Sequence, residues 1–321
     1  LTPHPPPTMI LLTLLLLPAT LLGLLALAVQ LGFRAPRRRA RHDPAALGLD
    51  FETCVIPTRR GRRLFAWLLP APDAEATLVV LHGWGSSAEL MLPLAAPFRR
   101  AGLNVLLFDA RSHGNSDGDT FSSLPRFAED LEAAVDWLRR VHPTRCRRLA
   151  LLGHSVGAGA TLFYAADNPL PDAVISIAAF ADPAEVTEGY LRTLRLPRWL
   201  ARLATRHVEW RIGHRFAEIA PLHTAARIGC PLLLVHGTAD TSVSPRDARR
   251  ILERAPTGRA RLYEVPGAGH DSVEHIERHV GALIDFLAAH GVGGTSHPGA
   301  GATEDASMRC TATRRSPPVA S

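Results

Sequence analysis

Lysine is absent from this chain of 321 residues, so all 36 basic side chains are arginine. We read this as the codon bias of a GC-rich genome, not as a design for bidentate phosphate recognition. Cysteine is scarce: Cys54, Cys146, Cys230 and Cys310 form no C-x-x-C pair and have no close histidine partner, which excludes a zinc motif and a disulfide framework. Aromatic residues make up 6%, and no aromatic-and-basic binding motif accompanies the pI near 9.9, so nucleic-acid recognition is not indicated. Five of the six net positive charges sit together at Arg34, Arg37, Arg38, Arg39 and Arg41. With 46% hydrophobic and 21% charged residues, wholesale disorder is excluded, and one α/β core of about 250 residues fits the length.

From Ile10 to Leu31 the chain carries no charge for 22 residues, enough for a helix to cross a hydrocarbon core of about 30 Å. A spanning helix over 10–31 is the expectation, with residues 1–9 as an extension and Met9 a possible start. No basic residue precedes the run and five arginines follow it, which by the positive-inside rule puts the rest of the chain in the cytoplasm. A cleaved signal peptide with Ala26, Leu27 and Ala28 as its processing site, and hence export, is the alternative. Residues 32–50 read as a basic juxtamembrane linker able to rest on anionic headgroups. Residues 291–321, rich in Gly, Ser, Thr and Pro, read as a disordered tail.

Between these ends, residues 51–290 alternate short apolar runs with helical patterns. Strands are expected at Leu64 to Leu69, Thr77 to Leu81, Asn104 to Phe108, Arg148 to Leu152, Ala173 to Ile177, Pro231 to Val235 and Arg261 to Val265. Helices are expected at Arg126 to Val141 and Val273 to Ala289, each with one apolar face. This alternation predicts an α/β fold whose mostly parallel sheet is covered on both faces.

One motif stands out. Gly153-His154-Ser155-Val156-Gly157 follows an apolar strand and precedes a helical pattern, the setting of a nucleophile elbow. A serine on so tight a turn needs neighbours without bulk, which Gly153 and Gly157 provide. Its hydroxyl needs a base with a pKa near neutrality. His270 fits, because it follows a strand and a Gly267-Ala268-Gly269 turn and so reaches the carboxyl edge of a parallel sheet. Asp240, on the loop after the strand ending in Val235, is the candidate to orient that imidazole. Structural uses compete with each role: a helix cap for Ser155 or Asp240, and a solvated helix N-terminus for His270. His82 and His113 fit loop-holding hydrogen bonds. His275 and His279 have metal-ligand spacing without a third ligand, so no metal site is expected.

The order Ser155, Asp240, His270 resembles the α/β-hydrolase superfamily. Within it, the chain is similar to bacterial serine hydrolases of the serine-aminopeptidase and monoacylglycerol-lipase-like type. The resemblance runs from about Thr77 to Ala289 through five stations: Leu81-His82-Gly83-Trp84-Gly85, Asp109-Ala110-Arg111-Ser112-His113-Gly114-Asn115-Ser116, the elbow, His236-Gly237-Thr238-Ala239-Asp240, and Gly269-His270. It implies an oxyanion hole from the amides of Trp84 and Val156, a cap over the site at about 181–225, and no cofactor. Ser112 departs from the pattern, since relatives often carry glycine there.

The cap segment places Arg192, Arg195, Arg198, Arg202 and Arg206 at helical spacings among Leu191, Leu194, Trp199, Leu200 and Leu203. It reads either as a solvated arginine face or as a lid touching a membrane and admitting an amphiphilic substrate. The whole reads as a membrane-anchored serine hydrolase cleaving carboxylic esters, including lipid-like ones, through an acyl-enzyme. Amide or peptide hydrolysis by the same residues and a non-catalytic binding scaffold are the alternatives.

Overall fold

The computed structural model of the chain describes residues 6–32, 34–193 and 195–293. Eight strands form one sheet: β1 Glu52–Thr58, β2 Arg62–Leu69, β3 Ala76–Leu81, β4 Asn104–Phe108, β5 Arg148–His154, β6 Ala173–Ile177, β7 Leu232–Gly237 and β8 Ala260–Val265. Their order is β1-β2-β4-β3-β5-β6-β7-β8. From β4 to β8 all pairings are parallel, and β1 and β2 add an antiparallel edge. The expected mostly parallel α/β sheet is thus present.

Eleven α-helices occur among the described residues. In chain order they are α1 Pro7–Gly32, α2 Leu92–Arg100, α3 Leu124–Val141, α4 Val156–Asp167, α5 Pro183–Thr193, α6 Arg198–Ile212, α7 Phe216–Ile219, α8 Pro221–Thr224, α9 Pro245–Arg254, α10 Val273–Glu277 and α11 Val280–Ala289. Period-2 geometry divides each central strand between two cores. Val79, Leu81, Leu149 and Leu151 join Phe127, Leu131, Val135 and Leu162 on the α3/α4 side. Leu78, Val80, Ala150 and Leu152 join Leu94, Phe98, Leu283 and Leu287 on the α2/α11 side. With both faces covered, β3 is buried at every position.

Three features differ from expectation. Strand β1 is missed by periodicity, because only Cys54 and Ile56 are buried and Pro57 interrupts the run; an edge strand tolerates both. The single helix expected from Val273 to Ala289 is two helices. The ladder breaks at His279, whose φ of −107° and ψ of 9° leave the helical region and whose ring bonds the Tyr263 hydroxyl at 2.9 Å. The expected spanning segment 10–31 is helical within α1, but among the described residues no helix is long and apolar enough to cross a membrane. The structure also ties the C-terminal end of α1 to the globular body. The Gln30 amide donates to Thr120 O at 2.8 Å and accepts from Arg211 Nε at 3.1 Å. Within the expected linker 32–50, Arg37 and His42 contact the body as well. Arg37 donates to Ser116 O at 2.8 Å, and His42 meets the Glu89 carboxylate through both its backbone and its ring. The expected tail lies outside the described residues from 294 onward, as do residues 1–5.

The loop following β4 is pinned by a buried guanidinium. Arg111 donates through Nε to Asp130 at 2.7 Å, through one terminal nitrogen to Asp119 at 3.3 Å, and through the other to Glu129 and to Arg126 O. Asp130 also accepts from Thr58 Oγ1, which joins this knot to β1. Removing one member strands buried charge, so Arg111→Met is expected to lower the unfolding free energy by about 3–5 kcal/mol. Urea denaturation measures this, and a loss below about 1 kcal/mol would mean the acids find other partners.

Candidate active site

The site is built at the carboxyl ends of β3, β5 and β7 and on the loop after β8. Ser155 lies between β5 and α4 with φ 55° and ψ −118°, a conformation that costs a non-glycine residue about 1–3 kcal/mol unless its surroundings impose it. The flanking glycines make that possible. A Cβ at Gly153 would stand 2.3 Å from Gly157 O, and one at Gly157 would stand 2.3 Å from His82 O and 2.6 Å from Leu81 O. No side chain fits at either position, and the backbone of α4 is therefore pressed against the end of β3. Ser155 N donates to Ile177 O at 2.9 Å, which fixes the turn to β6.

The other two candidates are delivered by a second close approach. A Cβ at Gly237 would stand 2.2 Å from Ala268 O, and Ala239 N donates to that same carbonyl at 3.0 Å. The ends of β7 and β8 are thus clasped together, bringing Asp240 beside His270. His270 Nδ1 lies 2.8 Å from Asp240 Oδ2, and His270 Nε2 lies 2.9 Å from Ser155 Oγ. With the proton on Nδ1 donated to the carboxylate, Nε2 is left bare to accept from the serine hydroxyl. The structure therefore brings Ser155, His270 and Asp240 into one hydrogen-bonded chain. Burial alone would raise the Asp240 carboxyl. The amides of Val243 and Ser242 and the His270 ring more than offset this and hold it below the ordinary carboxylate range.

Two histidines support this chain from behind, and sequence reasoning assigned neither of these contacts. His236, fully buried, points Nε2 at Val243 O (3.1 Å) and at Asp240 Oδ2 (3.2 Å), so that carboxylate oxygen faces two imidazoles. His154, also buried, donates from Nε2 to the backbone carbonyl of His270 at 2.8 Å, and burial lowers its basicity. Both lie in motifs visible in the sequence, but neither strand position alone says where the ring points.

The turn after β3 abuts Ser155: a Cβ on Gly83 would lie 3.0 Å from that of the serine. Trp84 and Gly85 follow immediately. Val156 opens α4, so its amide is among the first-turn donors that a helix leaves without an intrahelical acceptor. His82 holds this turn. Ala110 N donates to its Nε2 at 3.1 Å, so the ring proton sits on Nδ1 and is donated to Gly83 O at 2.7 Å. His113 donates from Nδ1 to Arg111 O at 2.9 Å. Asp109 completes the floor, accepting from Ala88 N and Asn115 N; its carboxylate leaves no room for a Cβ on Gly114. Ser112 takes φ 68°, which explains why glycine suits this position. Its hydroxyl compensates by accepting from Asp119 N at 2.8 Å.

His154, His270 and Asp271 are the one group of three potential metal ligands among the described residues. Both ring nitrogens of His270 already bond Ser155 and Asp240, so a metal there would have to break that chain. His275 and His279 stack at 6.0 Å, with His279 beyond the end of α10 and not on a shared helix face.

Parallel strands whose C-terminal ends carry a strained serine, a histidine and an aspartate define an α/β hydrolase. Comparison with known proteins agrees, and the chain belongs to that superfamily. Residues 72–217 match the family described as serine aminopeptidase, S33. The Bacillus subtilis protein YqkD is 30% identical over 221 residues, covering 67% of this chain and 72% of its own. Rv2307c of Mycobacterium tuberculosis is 28% identical over 277 residues, covering 83% and 91%. Among solved structures, the Pyrococcus furiosus esterase Pf2001 superposes with a TM-score of 0.64 at 26% identity, covering 80% of this chain and 97% of that one.

Burial holds His82 at about 4 and His113 at about 3, below a free imidazole. As pH falls below about 6.5 the unfolded chain binds protons that the folded chain refuses, so this stability is present above that pH and lost below it. In His113→Asn, whose amide can still donate to Arg111 O, the fall in Tm between pH 6.5 and 4 should be shallower than in the native protein. Calorimetry checks this, and parallel curves would show that His113 does not set the acid limb.

Proposed function

We propose that this hydrolase cleaves carboxylic esters through a Ser155-His270-Asp240 triad. The observation that carries the reading is the continuous hydrogen-bonded chain from Asp240 through His270 to a serine held at positive φ. Ser155 Oγ attacks the acyl carbonyl while His270 Nε2 takes its proton. Asp240 fixes the tautomer and stabilises the imidazolium. The developing oxyanion is met by the amides of Val156 and Trp84, with the N-terminal end of α4 adding its dipole. His270 then returns the proton to the leaving alcohol. Water, activated by the same ring, releases the acid and restores the serine. The reaction uses only groups of the chain and water, so no cofactor is called for.

Esters are preferred because the Pyrococcus furiosus neighbour is an esterase. The family description, serine aminopeptidase, favours amide hydrolysis as a second reading with the same residues. We also place the chain at a membrane through residues 10–31, with the catalytic domain cytoplasmic. The uncharged run and the five arginines after it support this placement.

A fluorophosphonate probe should label the native protein and not Ser155→Ala, with the label on Ser155 by mass spectrometry. Folded protein that does not label would overturn the triad. Asp240→Asn should keep the fold and lower kcat for p-nitrophenyl esters on the order of 10⁴-fold; near-native turnover would place the acid elsewhere. The full chain should be recovered with the membrane fraction of expressing cells, and its recovery in the soluble fraction would refute the placement.

A further inference from the structure

The outward face of α6 carries the two exposed tryptophans among the described residues, Trp199 and Trp210. At 3.6 residues per turn, Trp199, Leu203, Arg206 and Trp210 fall within about 60° of arc, while Ala204 and Val208 turn inward and are buried. Trp199 is 67% exposed and Trp210 74%, large values for indoles that have a protein core within reach. On the neighbouring α5, Val186 and Tyr190 are also exposed. Arg202 flanks the α6 stripe, and Arg206 lies within it. Beside Trp210 an open cavity of about 560 Å³ is lined by Arg206, His214 and Arg215 together with Glu209 and Glu218. Both glutamates are already engaged, Glu209 by Phe216 N and Glu218 by Arg215 N.

The inner side of α6 contacts the body of the protein through Arg211. Arg211, on the inner side, lies 4.1 Å from the centre of the Phe121 ring, and Arg126 lies 3.5 Å from the same centre. Arg211 also donates to Gln30 near the end of α1, where Leu24, Leu27 and Leu31 are exposed. The exposed leucines of α1 and the tryptophan stripe of α6 thus belong to two helices in contact.

We propose that the outward face of α6 is a docking surface for an anionic phospholipid bilayer. Tryptophans with arginines at their flanks suit the headgroup boundary, where indoles bury their rings and guanidinium groups meet phosphate. Each arginine near such a surface contributes about 1 kcal/mol. The contact continues the apolar surface of α1 and orients the cap, and with it the catalytic face, towards the lipid. This surface is independent of the triad chemistry.

The test uses the full chain in vesicles whose acyl chains are brominated, with tryptophan emission as the readout. Emission should be quenched in vesicles containing phosphatidylglycerol and much less in phosphatidylcholine alone. The quenching should vanish in Trp199→Phe/Trp210→Phe. In Arg202→Gln/Arg206→Gln it should fall to the phosphatidylcholine level. Hydrolysis of a soluble p-nitrophenyl ester by the same variants should stay within about twofold of native, since neither pair lies in the triad. Quenching that survives the loss of both tryptophans, that ignores lipid charge, or that is absent because a second copy of the chain covers this face would overturn the proposal. Failure of the fluorophosphonate labelling would leave these measurements unchanged, so the two readings fail separately.

Discussion

Everything chemical in this molecule depends on one steric constraint: the chain must reverse between β5 and α4 so tightly that Ser155 is forced to φ 55°. Such a conformation persists only when neighbours over-determine it. Here the backbone of Gly157 lies against the last carbonyls of β3, and Gly153 lies against the carbonyl of Gly157. The packing that strains the serine also brings the Gly83 turn against it. The strain at Ser155, the position of its hydroxyl and its closeness to the Gly83 turn are therefore one feature.

A second layer of constraint comes from buried histidines. His82 fixes the turn before Trp84, His154 grips the carbonyl of His270, and His236 stands behind Asp240. An imidazole suits these places because it spans two hydrogen-bonding sites on one rigid ring, and at His82 and His154 burial disfavours the cation. The arginine knot around Arg111 plays a corresponding part for the loop after β4. That loop reaches, through Phe121, the Arg211 side chain of α6.

Of the fold, what could be read in advance were the buried parallel strands. Runs such as Leu232-Leu233-Leu234-Val235 have no polar face to make another assignment competitive. Strand β1 was illegible because an edge strand buries only alternate residues and accepts Pro57. The break at His279 was illegible because the apolar period continues across it, and a side-chain bond to a distant tyrosine accompanies it. The docking of Gln30 on Arg211 and Thr120 joins residues far apart in sequence and leaves no local signal.

For the site, the residue types and their order along the chain nominated Ser155, Asp240 and His270, since tight-turn glycines and strand-end loops are local properties. Sequence alone also marked Trp84, Val156 and the elbow positions Gly153, His154 and Gly157. Only tertiary structure could decide that His270 meets both partners at hydrogen-bond distance, because that depends on β7 and β8 being clasped through Gly237 and Ala268. It also decided that His154 and His236 face His270 and Asp240, and that α6 turns its tryptophans outward. Periodicity shows that a helix has two faces, but which of them meets protein is settled by what packs beneath it.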